Sequence, residues 1–136
     1  MILVDTSVWI DWLREGDRPA TALLDRLIDE ENILTTPVVV QELLQGAKGP
    51  EHLQVLREHF LTLPQLMPSL RTYTDAGALY ARCRWSGITA RSPHDCLIAR
   101  IAIEHAVPLL QDDRDFELIA RVEPALRLLE TRLNLQ

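Results

Sequence analysis

The chain opens on Met1-Ile2-Leu3-Val4, an unbroken apolar run, and then turns at once to Asp5-Thr6-Ser7. A strand with one wet face alternates apolar and polar positions. An all-apolar run this short suits a strand covered on both faces, the mark of a parallel sheet. Parallel neighbours need crossover connections, usually helices, so the rest of the chain should alternate strand with helix. Asp5-Thr6-Ser7 supplies N-cap chemistry for a helix over residues 8–14 that Gly16 closes.

The pattern then repeats. Residues 20–31 set Leu23, Leu24, Leu27 and Ile28 at helical spacing. Ile33-Leu34-Thr35 reads as a second short strand. Thr36-Pro37 follows as N-cap and first residue of a helix through Gln45, stopped by Gly46. Residues 51–62 and 70–86 read as helices, separated by Pro64 and Pro68 and closed by Gly87. Ser92-Pro93-His94-Asp95 opens a further helix, with Leu97, Ile98, Ile101 and Ala102 on its apolar face. Val107-Pro108-Leu109-Leu110 predicts a third strand and residues 125–129 a fourth. With 136 residues and neither repeat nor linker, the expectation is one α/β domain over residues 1–136: a central parallel β-sheet flanked by helices.

Composition narrows the chemistry. The net charge of −6 argues against a protein that holds nucleic acid by bulk charge. It leaves room for an enzyme whose acids bind metal, because ions cancel local charge. Cys83 and Cys96 form no CxxC and share no zinc-ligand spacing with His52, His59, His94 or His105. No phosphate-binding loop, dinucleotide fingerprint or serine-hydrolase elbow occurs. No apolar run approaches the ~20 residues of a membrane span, and the N-terminus lacks a signal-peptide pattern. A cytoplasmic protein with reduced thiols is expected.

Ligands of open α/β sheets bind beyond the carboxyl ends of the strands. Four separated segments deliver acids there: Asp5 after the first strand, Glu42 in the helix launched by the second, Asp95 in the first turn of its helix, and Asp112, Asp113 and Asp115 after the third strand. Each has a plainer reading. Asp5 suits a helix N-cap, Asp95 a capping box with Ser92, and Asp112-Asp113-Arg114-Asp115 a solvated turn. Glu42 fits its plain reading worst, because Val38, Val39, Val40, Leu43 and Leu44 surround it in sequence. Together the acids make an oxygen-rich set suited to Mg²⁺ or Mn²⁺, ions that can activate water and stabilise the leaving oxygen of a phosphodiester.

These segments also resemble those of a known family. Leu3-Val4-Asp5-Thr6-Ser7-Val8-Trp9-Ile10 is similar to the opening of PIN-domain nucleases, and residues 36–46 to their second acidic motif. Asp95-Cys96-Leu97-Ile98-Ala99 resembles the third, and residues 109–116 the fourth. The short length and the wording of the third motif are similar to VapC toxins of bacterial toxin–antitoxin pairs. The resemblance implies a PIN-like fold and a Mg²⁺- or Mn²⁺-dependent endoribonuclease acting on single-stranded or looped RNA. It also implies a VapB-type antitoxin partner and a homodimer. Carried over, the catalytic and metal-binding acids are Asp5, Glu42, Asp95 and Asp113, with Asp115 at an accessory position. Gln111 departs from the Thr, His or Asn more usual there.

Arg82, Arg84 and Arg91 are candidates for positioning RNA phosphates, and Tyr80 or Trp85 for stacking a base. Three other functions fit parts of the sequence. They are an RNA-maturation nuclease without an antitoxin, a non-catalytic RNA-binding relative, and a phosphotransfer receiver. The last wants a lysine after a late strand, and Lys48, the sole lysine, stands elsewhere.

Overall fold

A computed structural model describes residues 1–30 and 32–131. The chain runs β1 (Ile2–Val4), α1 (Thr6–Leu13), α2 (Pro19–Leu27), a 3-10 turn (Ile28–Glu30), β2 (Ile33–Leu34), α3 (Pro37–Gln45), α4 (Pro50–Leu61), α5 (Leu70–Trp85), α6 (Pro93–Glu104), β3 (Leu109–Leu110) and α7 (Arg114–Val122). The three strands form a parallel sheet in the order β2-β1-β3. Ile2 pairs with Ile33 and Leu3 with Leu34 on one side of β1. Leu3 pairs with Leu109 and Val4 with Leu110 on the other.

The opening apolar run therefore sits at the centre of the sheet, and Leu3, Val4, Leu109 and Leu110 are fully buried. The chain crosses from β1 to β2 on one flank and returns past β1 to β3 on the other. That reversal of direction leaves a crevice at the carboxyl end of β1. Trp9 and Phe60 lie edge to face with ring centroids 5.0 Å apart, fastening α1 to α4 in the core.

Three sequence expectations need correction. The helix expected over residues 20–31 ends at Leu27 and tightens into the 3-10 turn. The fourth strand is reduced to an isolated bridge between Leu109 and Leu128, where the Leu109 amide donates to Arg127 and its carbonyl accepts from Leu129. Pro124 and Ala125 lie in a turn, so the segment approaches the sheet edge at a single residue. Arg114 and Asp115, for which a solvated turn is the plainer reading, instead open α7, with Phe116 and Ile119 fully buried.

Gly16 does more than close α1. A Cβ there would stand 2.2 Å from the Asp11 carboxylate, which accepts a hydrogen bond from Thr21 Oγ1 and so ties α1 to α2. The left-handed residue of that turn is Glu15, at φ 58°.

Candidate metal centre

Each acid is set in place by the element that carries it. Asp5 continues the β1 ladder, its amide donating to the Leu110 carbonyl at 2.9 Å. It is also the N-cap of α1: its Oδ2 accepts from the Ser7 amide at 3.1 Å and from Ser7 Oγ at 2.6 Å. The plain reading of Asp5 is thus correct, and its carboxylate also lies close enough to Asp95 to raise that acid's pKa. Ser7 Oγ in turn accepts from the Asp112 amide at 3.3 Å, joining the loops after the two strands.

Thr36 is the N-cap residue of α3, as expected, but its side chain makes no cap bond. Its Oγ1 donates to the Leu66 carbonyl at 2.6 Å, and Pro37 starts the helix. Glu42 projects from that helix and accepts from Thr6 Oγ1 at 3.0 Å, with His94 Nδ1 3.9 Å from its other oxygen. This explains how a glutamate is tolerated among valines and leucines: its carboxylate is hydrogen-bonded across to α1. Ser92 caps α6 by accepting the His94 amide, and among the described residues no side chain donates a hydrogen bond to the Asp95 carboxylate.

Asp113 is the N-cap of α7, its Oδ1 accepting the Asp115 amide at 2.9 Å. Gln111 Oε1 accepts the Asp113 amide at 2.7 Å, so the residue that departs from the usual pattern holds the backbone of this loop. Asp112 points away and forms an ion pair with Arg18. Asp115, only 7% exposed, accepts from the Arg91 amide at 3.1 Å.

Asp95, Asp113 and Asp115 offer carboxylate oxygens all within 4.8 Å of one another. Asp5 and Glu42 stand close enough to act on the same charge. The Asp95 carboxyl is pushed up to about 7, first by burial and then by Asp5, Asp113, Asp115 and Glu42 in turn. Asp5, 4% exposed, is raised to about 6 by burial, with Ser7 opposing and Glu42 reinforcing. The accessory position Asp115 thus belongs to the tightest group, which sequence spacing alone did not indicate. The available signal was Phe116 and Ile119 at helical spacing, which would have turned Asp115 inward with them.

The other sequence candidates separate. Arg91 lies at the acids, its guanidinium 3.6 Å from Asp113 and 3.7 Å from Asp115. Arg82 pairs with Glu123 at the end of α7, 3.3 Å away, on a half-exposed side chain. Arg84 and Trp85 are exposed in the last turn of α5. Tyr80 lines a cleft of about 440 Å³ with Tyr73, Val38 and His94, beside Glu42.

A donor set made only of carboxylates suits a hard divalent cation, and its crowding leaves negative charge that such an ion would neutralise. The residues present therefore fit a magnesium or manganese centre.

Comparison with known proteins bears on family and fold. The PIN domain family matches residues 2–122. VapC ribonuclease Mb1587 of Mycobacterium bovis and Ribonuclease VapC11 of Mycobacterium tuberculosis are each 34% identical over 125 residues, covering 90% of this chain and 93% of theirs. The fold is similar to the crystal structure of VapBC2 from Rickettsia felis bound to a DNA fragment from its promoter. That match has a TM-score of 0.73 and 23% identity, over 95% of this chain and 98% of the other. FitAcB from Neisseria gonorrhoeae gives 0.73 and 22%, over 96% and 98%.

Proposed function

The chain belongs to the PIN-domain family, and on that premise we propose that it is an endoribonuclease of the VapC type, cleaving single-stranded or looped RNA at the acidic centre. The observation that carries the reading is the convergence of Asp5, Glu42, Asp95, Asp113 and Asp115 from four chain segments on one crevice. Nucleases of this family use divalent metals. Asp95, Asp113 and Asp115 would hold the ion, with Asp5 and Glu42 flanking it. The ion is Mg²⁺ or Mn²⁺, and when bound it lowers the pKa of water and offsets charge on the phosphodiester.

The chain's own residues do the positioning. Ser7 fixes the Asp5 carboxylate with two bonds to one oxygen, holding this buried acid beside Asp95. Thr6 holds Glu42 by one oxygen, leaving its second to accept a proton from water or to orient it. Gln111 and the α7 cap hold Asp113. With carboxylates as the site's donors, this reading makes water the nucleophile, and the products would carry 5′-phosphate and 3′-hydroxyl ends.

The partner in this reading is a VapB-type antitoxin, supported by relatives crystallised as VapBC and FitAB complexes. The chain is further read as a cytoplasmic homodimer. No helix among the described residues is long and apolar enough to cross a membrane. The test is cleavage of a defined single-stranded RNA with Mg²⁺, with Mn²⁺ and with EDTA, by the wild type and by Asp113→Asn. Activity in EDTA, or full activity of the variant, would overturn the proposal.

A further inference from the structure

Arg91 is not placed like an ordinary surface arginine. Its backbone amide is fixed by Asp115, while its side chain is 80% exposed and curls back over the same acids. The guanidinium reaches Asp113 at 3.6 Å and Asp115 at 3.7 Å, beyond hydrogen-bonding distance for both. Ala90, 3% exposed, anchors the loop next to it. The result is a cation held at the mouth of the acidic centre by charge alone, on a tether rooted in one of the acids.

We propose that Arg91 is the resident counter-ion of the centre: it partly neutralises Asp113 and Asp115 until a divalent cation displaces it, and then turns to the RNA phosphate. The inference rests on the metal-centre reading above. Two positive charges cannot share those oxygens without repulsion, so the arginine weakens metal binding as long as it stays. Once displaced, its side chain stays beside Asp113 and Asp115, where it could meet a phosphate brought to those acids. A planar guanidinium suits that contact, since it can take two phosphate oxygens at once. The arrangement would make the protein least inclined to take up metal when no RNA is present to receive the arginine.

The experiment is Mn²⁺ binding by isothermal titration calorimetry to the wild type, Arg91→Gln, Arg91→Lys and the control Arg26→Gln, an exposed position on α2. Removing one exposed cation from two carboxylates should tighten Mn²⁺ binding of Arg91→Gln about fivefold. Arg91→Lys should stay near the wild type, because the charge is kept, and Arg26→Gln should not change. With Mn²⁺ present, Arg91→Gln should raise KM for a single-stranded RNA severalfold while kcat falls less. A merely structural role for Arg91 predicts the opposite sign, a loss of Mn²⁺ affinity, and would overturn the proposal. Equal Mn²⁺ affinity in wild type and Arg91→Gln would overturn it too. If neither protein binds Mn²⁺, the metal-centre reading itself fails, a result distinct from failure of the arginine's role.

Discussion

Asp95→Asn offers the sharpest perturbation, because the Asp95 carboxylate is partly buried amid four other acids and the amide keeps its volume while losing its charge. Two unit charges 4.8 Å apart, the outer limit of the Asp95, Asp113 and Asp115 group, repel by about 3.5 kcal/mol at an effective dielectric of ~20. The displacement of the Asp95 carboxyl from 3.8 to about 7 corresponds to about 4 kcal/mol. Asp95 is only half-buried, so solvent screening brings the expected gain of the metal-free variant to about 2 kcal/mol. For a domain of this size that is a rise in Tm of about 8 °C.

The pH dependence follows from linkage. A carboxyl raised in the folded state binds more protons folded than unfolded between its two pKa values, so wild-type stability falls as pH rises from about 4 to about 7. Asn has no such term. The advantage of Asp95→Asn should be complete at pH 8, shrink steadily on acidification, and disappear below pH 4. Thermal unfolding in EDTA at pH 8, 6 and 4.5 measures it, and adding Mn²⁺ should stabilise the wild type more than the variant. A variant that melts no higher than wild type at pH 8, or whose advantage is the same at pH 8 and 4.5, would refute the reasoning that burial and the neighbouring acids penalise the Asp95 charge.

Asp5→Asn should also melt higher than wild type in EDTA at pH 8, since an amide oxygen can still accept both Ser7 bonds, and it should abolish RNA cleavage. Thr6→Val removes the hydrogen bond to Glu42 at nearly constant volume. Loss of that orientation should lower kcat about fivefold with little change in Tm, as single-turnover assays would report. An RNA carrying 2′-deoxyribose at the scissile position should still be cut if it binds, and a 2′,3′-cyclic phosphate product would rule out attack by water. Phe116→Ala empties a fully buried site under α7 and should cost about 3–5 kcal/mol in urea unfolding, weakening Mn²⁺ binding through Asp113 and Asp115.

Much of the frame was legible from local chemistry. An apolar run ending at Asp5 already implied a buried parallel strand with an acid at its carboxyl end, because period and capping act within a few residues. The same holds for Pro37 starting α3 and Gly46 ending it, and for Ser92-Pro93 starting α6. What the sequence left open depends on residues far apart along the chain. Asp112-Asp113-Arg114-Asp115 is as good a turn as a helix start, and only burial of Phe116 and Ile119 against the core decides for α7. That helix in turn places Asp115 in the tightest group of acids and puts Glu123 beside Arg82. Residues 125–129 have a strand's composition, yet after the turn at Pro124 the chain meets β3 at one residue. A strand forms only where its partner's free hydrogen-bonding groups run alongside, and β3 offers only two residues. The types of the acidic residues were set by the sequence. Their mutual distances, and hence their charge coupling, exist only once β1, α3, α6 and α7 have packed around one crevice.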